Sequence, residues 1–203
     1  MAAGTLNQSV ALLHHDSVLA ETACPNFDAL KEQTLKLVFA SDIHGSAKWC
    51  AAALRAVDEI SPDKLVLLGD LLYHGPRNPL PDEYAPAEVA AMLNPLADRI
   101  VAVRGNCDSE VDQMMLDFPC MADYAWIVDS TQQIYCTHGH LWDHGNLPQL
   151  PAGSVFAYGH FHAKRDETAG SLRLFNPGSV GLPKDGTHSI GIYDEGTFSF
   201  REL

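Results

Sequence analysis

Apolar residues along the chain gather in short runs, each closed by a segment rich in polar residues or glycine. Leu35 to Ala40 is the first clear run and reads as a buried strand. Ser46 to about Ile60 reads as a helix, and Lys64 to Leu68 as a second apolar strand closed by Gly69-Asp70. Prolines at 76, 79 and 81 mark a loop, and Pro86 suits the first position of a helix running to about Ala97. Ile100 to Val103 is a third strand. Strand, helix, strand, helix, strand predicts a parallel sheet with right-handed crossovers. Beyond Tyr124 the pattern changes to short strands at about 125–128, 133–137, 154–158, 172–175, 188–193 and 197–200, separated by turns with glycine and proline. The expectation is an α/β fold: a two-sheet β-sandwich flanked by α-helices, spanning residues 35–203. Residues 1–34, with mixed polarity and one apolar patch from Val10 to Leu13, read as an N-terminal extension.

Composition narrows the class of protein. With 203 residues, 46% of them hydrophobic, the chain can bury one good core. No run is apolar enough to span a bilayer, and the start lacks the pattern of a secretory signal. A cytoplasmic protein with no membrane partner is expected. The five cysteines, at 24, 50, 107, 120 and 136, are odd in number and widely spaced, which does not suggest a disulfide framework. A net charge of −13 argues against a partner that is a nucleic-acid polymer, since such affinity comes from clustered Lys and Arg. It leaves a small phosphate ester open as substrate, because a pair of dications can reverse the field inside one cleft. Self-association is left open.

The candidate chemistry lies directly after the predicted strands. Asp42 and His44, Asp70, Asn106, His138, and His160 with His162 all fall there. In open α/β sheets, ligands bind in the crevice beyond the carboxyl ends of the strands. In extended chain, residues two apart project to one side, so Asp42 and His44 can reach one ion together, and His160 and His162 one site. Flanking glycines allow close backbone approach. Taken singly, each piece has a plain structural reading: a turn or cap for Asp42, Asp70 and Asn106, and a packed core histidine for His138. Five such pieces in order at strand ends favour a metal site over all of these.

The order DxH, GD, GN, H, GHxH resembles the calcineurin-like metallophosphoesterase superfamily. The longer stretches FASDIHGS at 39–46, LGDLLYHGPRN at 68–78, YAPAEV at 84–89, AVRGNCDSEVDQM at 102–114, THGHL at 137–141, YGHFH at 158–162 and FNPGSV at 175–180 resemble its bacterial YfcE-type phosphodiesterases. The resemblance covers roughly residues 36 to 200 and implies a β-sandwich with flanking helices. It implies that Asp42, His44 and His162 hold one metal, that Asn106, His138 and His160 hold a second, and that Asp70 bridges them. Two divalent ions are therefore expected as cofactors. A mixed imidazole, carboxylate and amide set suits manganese, iron, zinc or nickel, and the YfcE-type relatives point to manganese first. The implied reaction is hydrolysis of small phosphodiesters by a hydroxide bridging the metals. Two dications, two carboxylates and one hydroxide sum to a single positive charge, which matches a monoanionic diester.

Further residues are candidates around that centre. Many superfamily members carry a histidine after the motif asparagine; Cys107 stands there in this chain, as in YfcE-type relatives. A thiol is a weak hydrogen-bond donor, so good activity is expected on esters with acidic leaving groups and poorer activity on alkyl esters. Arg77 can grip phosphate oxygens in a bidentate contact, and His74 lies beside it on the proline-rich loop. Their alternative is a rigid loop with solvated charges. His140 is a candidate to support His138 or touch substrate. Asp108 reads either as orienting a neighbour or as capping the next helix, and Asn176 to Ser179 reads as a structural turn. The competing functions are a phosphomonoesterase or nucleotidase of the same fold, a nuclease, and a non-catalytic scaffold like the retromer subunit.

Overall fold

The computed structural model describes residues 34–203; the extension expected over residues 1–34 lies outside the described residues apart from Thr34. Strand β1 (Lys36–Ala40) leads to helix α1 (Ala47–Ile60), then β2 (Lys64–Leu67), helix α2 (Pro86–Leu93), a 3-10 turn (Asn94–Arg99) and β3 (Ile100–Ala102). Helix α3 (Glu110–Met115) precedes the β-rich half: β4 (Tyr124–Val128), β5 (Gln133–Thr137), β6 (Val155–Ala157), β7 (Lys164–Ala169), β8 (Leu172–Pro177), β9 (Ser189–Asp194) and β10 (Thr197–Glu202). Two five-stranded sheets result, ordered β10-β9-β1-β2-β3 and β4-β5-β6-β8-β7. The pairs β1–β2 and β2–β3 are parallel, as the strand-helix alternation predicts.

Side-chain alternation explains why β1 and β2 are almost wholly apolar. Leu37 and Phe39, with Val66 and Leu68, face the second sheet and pack on Ile134, Cys136, Val155, Ala157 and Phe175. Val38 and Ala40, with Leu65 and Leu67, face the other way and pack under the helices. A strand covered on both faces has no polar side to present. Helix α1 lies close because its inner stripe is small: Ala47, Cys50, Ala53, Ala56 and Val57 are all buried. Its start is set by Ser46, whose Oγ accepts from Trp49 N (3.4 Å).

Among the described residues, helices cover only the first sheet. The outer face of the second is Tyr135, Phe156, Tyr158, Leu172 and Leu174, against which Trp142, Leu147, Leu150 and Phe161 pack from loops. The predicted helix to Ala97 is regular only to Leu93, because Pro95 cannot donate an α-helical hydrogen bond and the chain tightens into the 3-10 turn. Strand β7 has no counterpart in the sequence reading. As an edge strand of largely exposed polar residues it lacks apolar alternation, and its signal was the two-residue Gly170-Ser171 link to β8.

Candidate metal centre

The loops that follow β1, β2, β3, β5 and β6 meet at one edge of the sandwich. Beyond the regular strands the backbone pairing continues: Asp42 N donates to Gly69 O (3.1 Å), His44 N to Asp70 O (2.9 Å) and Gly159 N to His138 O (2.8 Å). Asp42, His44, Asp70, His160 and His162 all have positive φ, between 52° and 67°. That left-handed region is uncommon for residues with a Cβ and costs of order 1–3 kcal/mol at each position. Here the chain is not extended, so the side chains do not follow strand alternation. Glycine is sterically required at several of these positions, 105 and 159 among them. A Cβ on Gly105 would fall on Asp70 Oδ1, and one on Gly159 would fall on Ser41 Oγ.

The side chains converge as follows. His162 Nε2 stands 3.2 Å and His44 Nε2 3.7 Å from Asp42 Oδ1, and the two ring nitrogens are 3.3 Å apart. Asp70 Oδ2 lies 3.7 Å from His44 Nε2 and 3.4 Å from His138 Nε2, placing it between the two histidines. His138 Nε2 is also 3.2 Å from Asn106 Oδ1. His160 and His162 line one cavity but face different partners. His162 joins Asp42 and His44, whereas the His160 ring stands 5.1 Å from His138. Ligand atoms of Asp42, His44 and His162, of His44, Asp70 and Cys107, and of Asp42, Asp70 and His138 each lie within 4.8 Å of one another.

The protonation pattern suits cations. Nδ1 of His44, His138 and His162 faces the backbone carbonyls of Tyr73 (2.9 Å), Leu68 (2.6 Å) and Leu182 (2.6 Å). A carbonyl only accepts, so each Nδ1 carries the hydrogen and each neutral ring turns an Nε2 lone pair inward. Asp42 Oδ2 is already used by Ser41 Oγ (2.6 Å) and His160 N (3.0 Å), and Asp70 Oδ1 by Cys107 N (2.8 Å). The remaining Asp42 Oδ1 is buried without a hydrogen-bond partner. Lone pairs thus point at lone pairs in a buried cluster, an arrangement that protons or metal ions relieve. Burial pushes His138 towards neutrality, yet its hydrogen bond to Asp70 and the charges of Asp42 and Asp70 carry it up to about 9. Burial likewise opposes ionisation of Asp42, but His162, His138 and His44 hold its carboxyl below the usual range. His44 goes the other way, its proton affinity lowered chiefly by burial. The same field that attracts protons attracts metal ions.

Asp108 holds the Asp70 loop. Its carboxylate accepts from Asp70 N (2.8 Å), Leu71 N (2.8 Å) and Gly105 N (2.7 Å), tying the segments after β2 and β3 together. It does not cap α3; that position belongs to Ser109, whose N and Oγ donate to Asp112 Oδ2 (both 2.8 Å). Burial and, after the opposing N–H bonds, the charge of Asp70 push Asp108 up to about 6. The turn at Asn176 to Ser179 is structural and supports the site. Asn176 Nδ2 donates to Gly159 O (2.8 Å) and Ser179 Oγ to Asp42 O (2.9 Å).

A cavity of about 690 Å³ opens onto this cluster, and Asp70, Asn106, His160 and His162 line it. Arg77 and Cys107 also line it, whereas His74 and His140 do not. The His74 ring turns back to pack edge-on against Tyr73 (4.8 Å) and Tyr84 (5.1 Å), leaving Tyr73 at the cavity. The His140 ring is tilted against two of these histidines, 5.4 Å from His138 and 6.5 Å from His160. Burial, then the charges of His138, Arg104 and His160, depress its proton affinity to about 4. At Cys107, burial and the neighbouring carboxylates push the thiol up, so it stays protonated. Ser41, Tyr73, Phe161 and Lys184 were not singled out from sequence. Ser41 adjoins Asp42 and could have been suspected, whereas nothing local marked Lys184.

The geometry agrees with what the chain is similar to. Residues 35–197 match the calcineurin-like phosphoesterase superfamily domain. Phosphodiesterase YfcE of Escherichia coli strain K12 is 48% identical over 166 residues, covering 81% of this chain and 90% of that one. The solved structure of YfcE from E. coli, a phosphoesterase, superposes with a TM-score of 0.79 at 48% identity, covering 81% and 91% of the two chains. An archaeal phosphodiesterase (TM-score 0.60, 20% identity, 83% and 99% covered) and a single mutant of Vps29 from Entamoeba histolytica (0.55, 18%, 83% and 98%) share the fold. The chain therefore belongs to the calcineurin-like phosphoesterase superfamily, as a homologue of the E. coli phosphodiesterase YfcE.

Proposed function

We propose that the chain is a metal-dependent phosphoric diester hydrolase acting on small phosphodiesters, with all of its chemistry in residues 35–203. The observation that carries the reading is the convergence of inward-facing acceptor atoms from Asp42, His44, Asp70, His138 and His162 beside a cavity that Arg77 and Lys184 line. Asp42, His44 and His162 would hold one divalent ion, Asn106, His138 and His160 a second, with Asp70 shared. Manganese is the first choice. Such ions, when bound, supply Lewis acidity towards phosphate oxygens and lower the pKa of a bound water. The chain's own groups do the rest. Asp108, through the Asp70 loop, fixes the shared carboxylate, Arg77 and Lys184 supply positive charge at the cavity wall, and the Cys107 thiol faces the cavity as a weak proton donor.

The acidic surface supports a small ester rather than a nucleic-acid polymer. No helix among the described residues is long and apolar enough to cross a membrane. Cys50, Cys107, Cys120 and Cys136 are all free thiols, which fits the reducing cytoplasm.

The test is hydrolysis of bis(p-nitrophenyl) phosphate and p-nitrophenyl phosphate by the full chain, with and without manganese. Manganese-stimulated turnover with the diester preferred is expected, falling by at least about a hundredfold in Asp70→Asn and His138→Ala, on the scale of losing an electrostatic catalytic group. Preference for the monoester would replace the diesterase reading with a phosphomonoesterase one. Wild-type turnover no higher than that of the variants would end the enzyme reading.

A further inference from the structure

A second cavity of about 380 Å³ lies beside the metal-facing one. Asn78, His162 and Lys184 line both, which makes the two spaces lobes of one cleft. Their walls differ in chemistry. The first lobe carries Asp70, Arg77, Asn106 and His160 beside Tyr73, Pro76 and Phe161, whereas Pro79, Leu80 and Pro81 form one side of the second and Leu182 with Pro183 another. Trp49 and His188 complete it. Their rings stack at 3.5 Å between centroids with planes 12° apart, and His188 Nδ1 donates to Val180 O (2.7 Å), so this side is flat and fixed. The prolines offer no backbone N–H and hold their φ angles, so this wall is preformed and presents few hydrogen-bond donors. Asp82, also at this lobe, is engaged by Lys48 Nζ at 2.9 Å.

We propose that this second lobe is a specificity subsite that receives an aromatic ester arm of the substrate, while the phosphate occupies the metal-facing lobe. A preformed apolar wall with a flat aromatic side favours a planar apolar group, because burying it removes apolar surface from water without ordering the protein. A small alkyl ester leaves most of the wall uncovered. This rests on the phosphodiesterase reading above and adds to it the class of ester preferred.

The experiment is calorimetric binding of phenylphosphonate and methylphosphonate to the manganese-loaded full chain; neither ligand has an ester bond to hydrolyse. The wild type should bind phenylphosphonate about tenfold more tightly, a difference of about 1.4 kcal/mol. Leu80 is 63% exposed, so Leu80→Gln leaves the core alone; Trp49→Leu is the second variant because the indole also packs on the core. Together they should bring the preference within about twofold, with methylphosphonate affinity changed by no more than about twofold. A phenyl preference that persists in the double variant overturns the subsite. So does its absence in the wild type when methylphosphonate still binds in a manganese-dependent way. If neither phosphonate shows manganese-dependent binding to the wild type, the phosphodiesterase reading itself fails, and the subsite with it.

Discussion

At the scale of single residues, the cluster is held by groups outside the proposed ligand set. Asp108 satisfies three buried N–H donors on the segments carrying Asp70 and Gly105. Asp108→Ala leaves them without partners in a buried site, and each buried donor so stranded costs about 1–3 kcal/mol. A denaturant titration should show a loss of at least about 2 kcal/mol, with turnover falling more than the loss of folded protein explains. Cys107 is the complementary case, because its protonated thiol faces the cavity but donates weakly. Cys107→His should flatten the dependence of rate on leaving-group acidity, raising phenyl and alkyl esters relative to p-nitrophenyl esters. A series of aryl and alkyl diesters measures it, and an unchanged slope would make Cys107 a spacer.

At the scale of elements, the two sheets are tied at one end by the turn between β4 and β5. Asp129 accepts from Thr131 N (2.7 Å), Gln132 N (2.8 Å), Leu35 N (3.2 Å) and the Tyr193 hydroxyl (2.5 Å), which joins that turn to β9 and to the start of β1. Tyr193 is fully buried. Asp129→Ala should lower stability by about 1–2 kcal/mol, or roughly 2–8 °C in Tm for a chain of this size, without changing kcat on the diester. Differential scanning calorimetry with a parallel assay separates the two effects. These elements were unevenly legible in the sequence. Strands β1 and β2 announced themselves through runs buried on both faces. Strand β7 did not, because an edge strand in water keeps polar residues on both sides.

The whole molecule carries a net charge of −13 and concentrates acceptor atoms in one buried cluster, so metal binding and stability are linked. An ion that binds only the folded chain at a hundred times its Kd adds about 2.7 kcal/mol, which at this size is a rise of roughly 5–11 °C in Tm. Chelation should reverse it. The linkage has a pH sign. His138 is raised from 6.5 to about 9 in the metal-free fold, so its proton stabilises that fold fully below 6.5 and ceases to do so as pH rises through 9. A metal ion competes for the same Nε2. Its apparent affinity should therefore climb between pH 6.5 and 9, and calorimetric titrations across that window check the slope.

The seven proposed ligand positions, the parallel β1–β2–β3 unit and the change to a β-rich half were all readable along the chain. They depend on local pattern: apolar runs, helix starts, and polar groups beside glycines at strand ends. Which ligand faces which came from the family resemblance and could not be read from spacing. Extended-chain geometry put His160 and His162 on one site; both line the same cavity, but from left-handed backbone, His162 beside Asp42 and His160 beside His138. His74 looked equivalent to Arg77 on the same loop, until Tyr73 and Tyr84 drew its ring away from the cavity. Asp108, Lys184 and the Trp49–His188 wall act through partners far off in sequence. Tertiary packing alone decides such groupings, because a hydrogen bond or a cavity wall depends on distance in space, to which order along the chain is indifferent.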